Sequence, residues 1–369
     1  MKLQRIVYIV SGIDKALHFE WIVPMLRKHY HLSFILLGPS GSALGKFLHA
    51  SDIKVYSVVI GTKVSFINAW VNLAIILWKE RPNIVHCHLL TANILGLSAA
   101  WVLRVPKRIF TRHHAMVHYD DHPSGRKWDL LCNWMATDVI AISKSIYQIL
   151  IDKDKASPSK LHLIPHGFDL SYFQRTNESE IDGLRQKYKL NPRKPIVGVI
   201  ARYTSWKGIQ YIIPAFRNLL NKFPMAHLIL ANAHGEYKGV IQEMLRTLPP
   251  ESYTEIRYEY ELGALYKLFD VYIHVPVDTN SEAFGQTYVE ALASGVPSIF
   301  SLSGISNEFI IDRVNALVVR HRDADEISVK LHEILTDQLL AKSLVKGGYA
   351  SVQAFALENM IAKLERVYG

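Results

Sequence analysis

Cysteine is nearly absent. Cys87 and Cys132 are the only two in 369 residues, too few for a disulfide framework or a cysteine-based zinc site. Long apolar runs are missing as well: no stretch of about 18 residues is apolar throughout and free of charge, so no membrane-spanning helix is expected. The nearest approach, VSFINAWVNLAIILW at 64–78, carries two Asn and stops at Lys79-Glu80, which suits a buried or interfacial helix. The first residues, MKLQRIVYIVSG, run directly into a strand-like segment without the charged, apolar and small-residue regions of a signal peptide. A cytoplasmic protein is expected. Also missing are a recognisable DNA or RNA module and any run of aromatics interleaved with basic residues, so no nucleic-acid partner is expected.

What is present fits a globular chain of two domains, with 49% apolar and 20% charged residues. The net charge of +9 is unevenly spread: residues 1–168 hold 20 Lys and Arg against 10 Asp and Glu, and the remainder 22 against 23. A basic half of this kind is a solvated face, or it meets an anionic membrane surface or an acidic ligand.

Short apolar runs alternate with longer amphipathic ones. RIVYIV, LSFILLG, KVYSVVI, IVHCHL, RIFTRH, DVIAIS and LHLIPHG read as strands, with helices over 15–29, 64–80, 91–103 and 126–136 between them. Residues 169–194 turn polar and read as a linker plus a short helix. The pattern then restarts: PIVGVIA, AHLILAN, EIRYEY, VYIHVP, PSIFS and NALVV are strand candidates, with helices near 208–222, 236–247, 262–269, 286–294 and 324–336. The expectation is an α/β chain of two doubly wound, Rossmann-like domains facing across a crevice at the carboxyl ends of their strands, where ligands bind. The tail FALENMIAKLERVYG reads as an amphipathic helix.

The densest chemistry lies in VYIHVPVDTNSEAFGQTYVEALASGVP. A strand ends near Pro276, a polar loop follows, and a helix opens around Gly285 to Thr287, with Gly295 and Pro297 to stop it. Free amides and the dipole at such a helix start favour an anion such as a diphosphate. Glu282 sits just ahead of the helix and Glu290 about one turn inside it. One carboxylate could take hydroxyls of a transferred sugar, the other the diol of a ribose. Glu290 could equally pair with a buried Arg or cap backbone amides. Cations for a diphosphate stand in VGVIARYTSWKGIQ, where Arg202 and Lys207 flank the first strand-to-helix turn of the second domain and Gly208 opens its helix.

The segments EAFGQTYVEALASGVP, IPHGFDLSYF, ARYTSWKG, PNIVHCH and FALENMIAKLERVY resemble the signature segments of the retaining family 4 glycosyltransferases of GT-B fold, and the likeness covers nearly the whole chain. Its most specific element is E-x7-E followed by A-x-A-x-G-x-P. The resemblance implies an acceptor-binding domain over 1–170, a nucleotide-sugar-binding domain over 171–350 and a final helix over 351–369 that crosses back onto the first domain. It implies metal-independent transfer with retention and no cofactor, from a nucleotide-diphosphate sugar, UDP- or GDP-linked, to a glycan or lipid-linked sugar in polysaccharide or glycolipid assembly. With the basic first half, that places the protein at the inner face of the cytoplasmic membrane, against an anionic surface. Carried over by residue, Arg202 and Lys207 neutralise the leaving diphosphate, Glu290 holds the ribose, and Glu282 lies near the transferred sugar. Ala283, Phe284, Gly285, Gln286 and Thr287 form the loop on the sugar and phosphate, and Gly12 lines the donor from the first domain. In RIFTRHHAM, His113 is offered to the donor sugar, though His114 could take that role.

Departures from the family pattern are visible too. The first loop, SGIDKALHFEW, has only Gly12 where a paired glycine is usual, Ala316 follows Asn315 where glycine is usual, His166-Gly167 replaces a common Asn-Gly, and Tyr260 stands where glycine is frequent. His86 and His88, two apart on one strand, invite a metal reading, but no carboxylate or cysteine lies nearby in sequence to complete a site. Asp152/Asp154 and Asp323/Asp325 have D-x-D spacing within charged stretches and read as surface. A nucleotide-sugar epimerase, or a non-catalytic nucleotide-sugar-binding protein of the same fold, would share most of these features.

Overall fold

Every strand among the described residues is parallel to its neighbours. The structure is a computed structural model that describes residues 3–60, 63–115, 125–175, 177–190 and 194–369. It forms two units, Met1–Phe168 with Phe355–Gly369, and Asp169–Ala354.

The first unit holds seven strands, β1 (Gln4–Ser11), β2 (Tyr30–Leu37), β3 (Lys54–Val58), β4 (Ile84–His88), β5 (Lys107–Arg112), β6 (Asp138–Ala141) and β7 (Leu161–Leu163), in the order β3-β2-β1-β4-β5-β6-β7. Strands covered on both faces have no solvent side to keep polar. That is why RIVYIV and LSFILLG are unbroken apolar runs, with Ile6, Tyr8, Phe34 and Ile35 fully buried. The sheet winds outward in both directions from β1 and β4, so the ends of these two strands are its switch point.

The last helix, Leu357–Tyr368, packs against helix Leu17–Leu26 and buries Leu357, Met360, Ile361, Leu364 and Val367 in the first unit's core. Tyr368 anchors it: its hydroxyl bonds Tyr8 Oη at 2.6 Å and His86 Nδ1 at 2.8 Å, and His86 Nε2 continues to Thr111 Oγ1 at 2.9 Å. The backbone is knitted in as well, with Phe168 and Phe355–Leu357 exchanging N–H···O bonds.

The second unit holds β8 (Ile196–Ile200), β9 (His227–Ala231), β10 (Tyr253–Ile256), β11 (Val271–His274), β12 (Ser298–Phe300) and β13 (Leu317–Val318), in the order β10-β9-β8-β11-β12-β13. Its switch point is the pair β8 and β11. Two details differ from the sequence reading. The stretch read as a linker plus a short helix folds as two helices, Leu170–Gln174 and Glu178–Lys187, because Leu170, Phe173, Ile181 and Leu184 bury themselves against the unit that follows. The strand expected over EIRYEY ends at Ile256, and the following turn is organised by Glu259, which accepts from the amides of Tyr260 and Glu261 and from Lys187 Nζ.

Tyr368→Phe would leave Tyr8 and His86 with buried, unmatched polar groups, a cost of about 1–3 kcal/mol. The expected result is a lower urea midpoint for the first unit, read by tryptophan fluorescence; an unchanged midpoint would show that the hydroxyl chain carries no weight.

Candidate active site

In the second unit the site is assembled where its sheet divides, at the carboxyl ends of β8 and β11. The turn after β8 can reach β11 only because residue 208 has no side chain. Gly208 has φ +76°, and a Cβ there would lie 1.8 Å from the carbonyl oxygen of Val275. The amide of Val277 donates to Trp206 O at 3.0 Å and closes the two loops on each other. This seats Lys207, at the end of the short turn Ser205–Lys207, with its ammonium 2.5 Å from Glu282 Oε1.

Glu282 is buried and held from three sides. His274, the last residue of β11, bonds the same oxygen at 3.0 Å, and the Glu282 amide donates to Ser303 Oγ at 2.9 Å. Burial alone would raise this carboxyl. The charge of Lys207 and the bond from His274 outweigh it and bring the pKa down to about 2. His274 itself is pushed below the usual histidine range, chiefly by burial. Glu282 is therefore a permanent carboxylate that positions a cation.

Gly285, at φ +85°, begins helix Gln286–Ala293 and brings no side chain to cap it. A Cβ at that position would strike the Tyr288 ring at 2.6 Å. Ala283 and Thr287 are half-buried, Phe284 is buried, and Gln286 is exposed. The helix start is thus an uncapped, positive-dipole end beside Lys207.

Inside that helix, Glu290 has a different fate from Glu282. Its carboxyl takes a hydrogen bond from the Tyr266 hydroxyl, which donates to Oε2 at 2.9 Å, and among the described residues no cation pairs with it. Burial raises its pKa to about 7, against a lowering by the Tyr266 bond. Arg202 stands on the turn after β8 with an exposed side chain.

The first unit contributes a group of histidines where its own sheet divides. His88 ends β4, and its Nδ1 is 3.0 Å from His113 Nε2, just beyond β5. The His113 ring stacks on His166 at 5.5 Å, and His18 meets His166 edge-on at 5.4 Å. Burial lowers His113 to about 3 and His18 to about 4, so the group is neutral near neutral pH. A cavity of ≈ 20 Å³, room for one water, lies among His18, His86, His88 and His166. His114 turns elsewhere, to within 3.4 Å of Asp129 Oδ2. Gly12 follows β1 at φ +64°, and its amide donates to Leu37 O at 3.1 Å. Among the described residues no three His, Cys, Asp or Glu come together as a metal would require.

Asp154 corrects the surface reading of its D-x-D: it is buried, 3.4 Å from the Arg112 guanidinium, which also pairs with Asp129 at 2.7 Å. Asp323 caps helix Ala324–Thr336 by accepting from the Glu326 amide. His274, Tyr266, Ser303, His18 and His166 were not legible as site residues. Each sits on an apolar run or an ordinary loop, and only the ends of adjacent strands bring them in.

Two family models match consecutive parts of the chain, Glycosyltransferase Family 4 over residues 26–172 and Glycosyl transferases group 1 over residues 180–351. The chain belongs to the family 4 glycosyltransferases. It is 23% identical to the capsular polysaccharide biosynthesis glycosyltransferase CapM of Staphylococcus aureus, over 100% of this chain and 97% of that one. It is 23% identical to the alpha-monoglucosyldiacylglycerol synthase of Acholeplasma laidlawii, over 79% of this chain and 76% of that enzyme. Among solved structures, HepE from Anabaena, crystallised with UDP and glucose, superposes with a TM-score of 0.86 at 18% identity, over 99% of both chains. At that identity the likeness speaks for the fold, the GT-B arrangement of two Rossmann-like domains.

Because the Glu290 carboxyl sits above its unfolded value, the folded glycosyltransferase binds more protons than the unfolded chain between about pH 4.5 and 7 and loses stability as pH rises through that window. Glu290→Gln removes this penalty. Its melting temperature should exceed the parent's at about pH 8 and converge with it near pH 5; a constant offset at both would place the effect elsewhere.

Proposed function

We propose that the protein is a retaining, metal-independent glycosyltransferase that moves a sugar from a nucleoside-diphosphate donor to a hydroxyl of a lipid-linked or glycan acceptor at the cytoplasmic face of a membrane. The observation that carries this reading is the Lys207–Glu282 pair, 2.5 Å apart at the division of the second sheet, beside a helix start with no side-chain cap.

In this reading the donor's diphosphate lies against the amides of Gln286 and Thr287, the Lys207 ammonium and the exposed Arg202. Charge that develops on the departing phosphate is met by donors already in place, the arrangement that lowers a barrier most efficiently. Glu282 Oε1 is occupied by Lys207 and His274, so Oε2 is the oxygen that accepts from a hydroxyl of the transferred sugar. Glu290 uses Oε1 for the ribose diol while Tyr266 holds Oε2. His113, neutral and oriented by His88, offers a ring nitrogen to the sugar from the first domain, with Gly12 nearby in the same sheet's end loops. The acceptor hydroxyl attacks from the leaving-group side, and the departing phosphate takes its proton. Support for the substrates comes from relatives: CapM is named for capsular polysaccharide, the Acholeplasma enzyme for a glycolipid, and HepE was crystallised with UDP and glucose.

A thermal-shift screen over UDP-, GDP-, ADP- and TDP-sugars should show one donor raising the melting temperature. With that donor, Lys207→Ala should lower kcat about a hundredfold with little change in KM. Glu290→Ala should raise the donor KM about tenfold, the loss of one hydrogen bond to a charged group. Near-normal transfer by both variants would sink the assignment.

A further inference from the structure

Three helices of the first unit lie side by side: Lys63–Glu80 packs on Leu90–Val102, which packs on Arg126–Met135. They are tied together across their outer edges. Trp70 Nε1 donates to Ser98 Oγ at 2.9 Å, and the Trp101 and Trp134 rings meet at 5.1 Å. The first of these helices buries one apolar stripe, Ala69, Leu73 and Leu77. It then turns a second one outward: Ile67, Val71, Ile75 and Trp78 recur every three or four residues, and Trp78 is 62% exposed. The neighbours continue that surface with Trp101 and with Trp134, which is 61% exposed. Soluble proteins rarely present a contiguous apolar face of this kind without a partner for it.

Among the described residues, the exposed charges carried by these three helices are basic. Lys79, Arg81, Arg104 and Lys127 are exposed at its margin, and an open groove beside Trp101 is lined by Arg104, Pro106 and Arg108. The two carboxylates carried by these helices are turned away. Glu80 is bound by Lys54 Nζ at 2.7 Å and Tyr56 Oη at 2.6 Å, and Asp129 is buried against Arg112. Among the described residues the three helices show no exposed carboxylate.

We propose that this face docks the protein on an anionic bilayer, with Trp78, Trp101 and Trp134 at the headgroup level and the basic margin on the lipid phosphates. Tryptophan suits that depth because its ring is apolar and its N–H polar, and lysine and arginine add attraction to an anionic leaflet. A second copy of the chain fits less well, since a two-fold contact would bring two basic margins together. The inference rests on the reading that the acceptor is lipid-linked, and it names the surface that brings the enzyme to it.

The test uses the full chain without donor. It should sediment with vesicles of phosphatidylcholine and phosphatidylglycerol in equal parts far more than with phosphatidylcholine alone, and brominated lipid should quench its tryptophan emission. The pairs Trp101→Ser with Trp134→Ser, and Arg104→Glu with Lys127→Glu, should each weaken vesicle binding about tenfold or more. Both pairs should keep the parent's melting temperature and its stabilisation by a nucleotide sugar. Equal sedimentation with both vesicle types, no sedimentation, or parental binding by both pairs would overturn the proposal. So would a dimer in solution that the tryptophan pair abolishes. Vesicle binding that survives while no nucleotide sugar stabilises the chain would leave this face standing and defeat the transferase reading instead.

Discussion

A buried carboxylate must be neutralised, and the way Glu282 is neutralised organises the candidate site of the second unit. Leaving an ionised group unpaired in an apolar interior is prohibitive. The chain answers with Lys207 at 2.5 Å and His274 at 3.0 Å on a single oxygen. That solution requires the turn after β8 to lie against the end of β11, which Gly208 alone permits. The same close approach leaves the cation next to an uncapped helix start. One electrostatic requirement therefore fixes a cation, a carboxylate and a set of amides in a common frame.

The contrast with Glu290 follows from the same physics. Both carboxylates are equally buried, yet Glu282 is driven down to about 2 and Glu290 up to about 7. The difference is the presence or absence of a cation. Two acids on one loop and helix are thus held in different states at neutral pH: one a fixed negative charge, the other poised near its titration point.

The first unit uses histidine where the second uses charge. His18, His88, His113 and His166 gather at the end of a sheet that, among the described residues, places no carboxylate between them, and burial keeps them neutral. They offer hydrogen bonds and flat surfaces in place of Coulomb attraction. Net charge sits instead on the outside of this unit, at the margin of its exposed apolar helices. The basic excess seen in the composition of residues 1–168 is in part this margin.

The sequence by itself determined the strands, because parallel sheets covered on both faces demand short unbroken apolar runs, and such runs are visible without a structure. It also determined the E-x7-E pattern and the glycines that open and close its helix, since those are local. What only the tertiary structure decided is who meets whom. Glu282 finds Lys207, 75 residues away, and Tyr266 finds Glu290 across 24 residues. Tyr368 closes on Tyr8 across 360. His113 joins the other histidines while its neighbour His114 turns to Asp129. Strand order sets these pairings, and strand order depends on how crossovers wind around a sheet, which no local pattern of residues encodes.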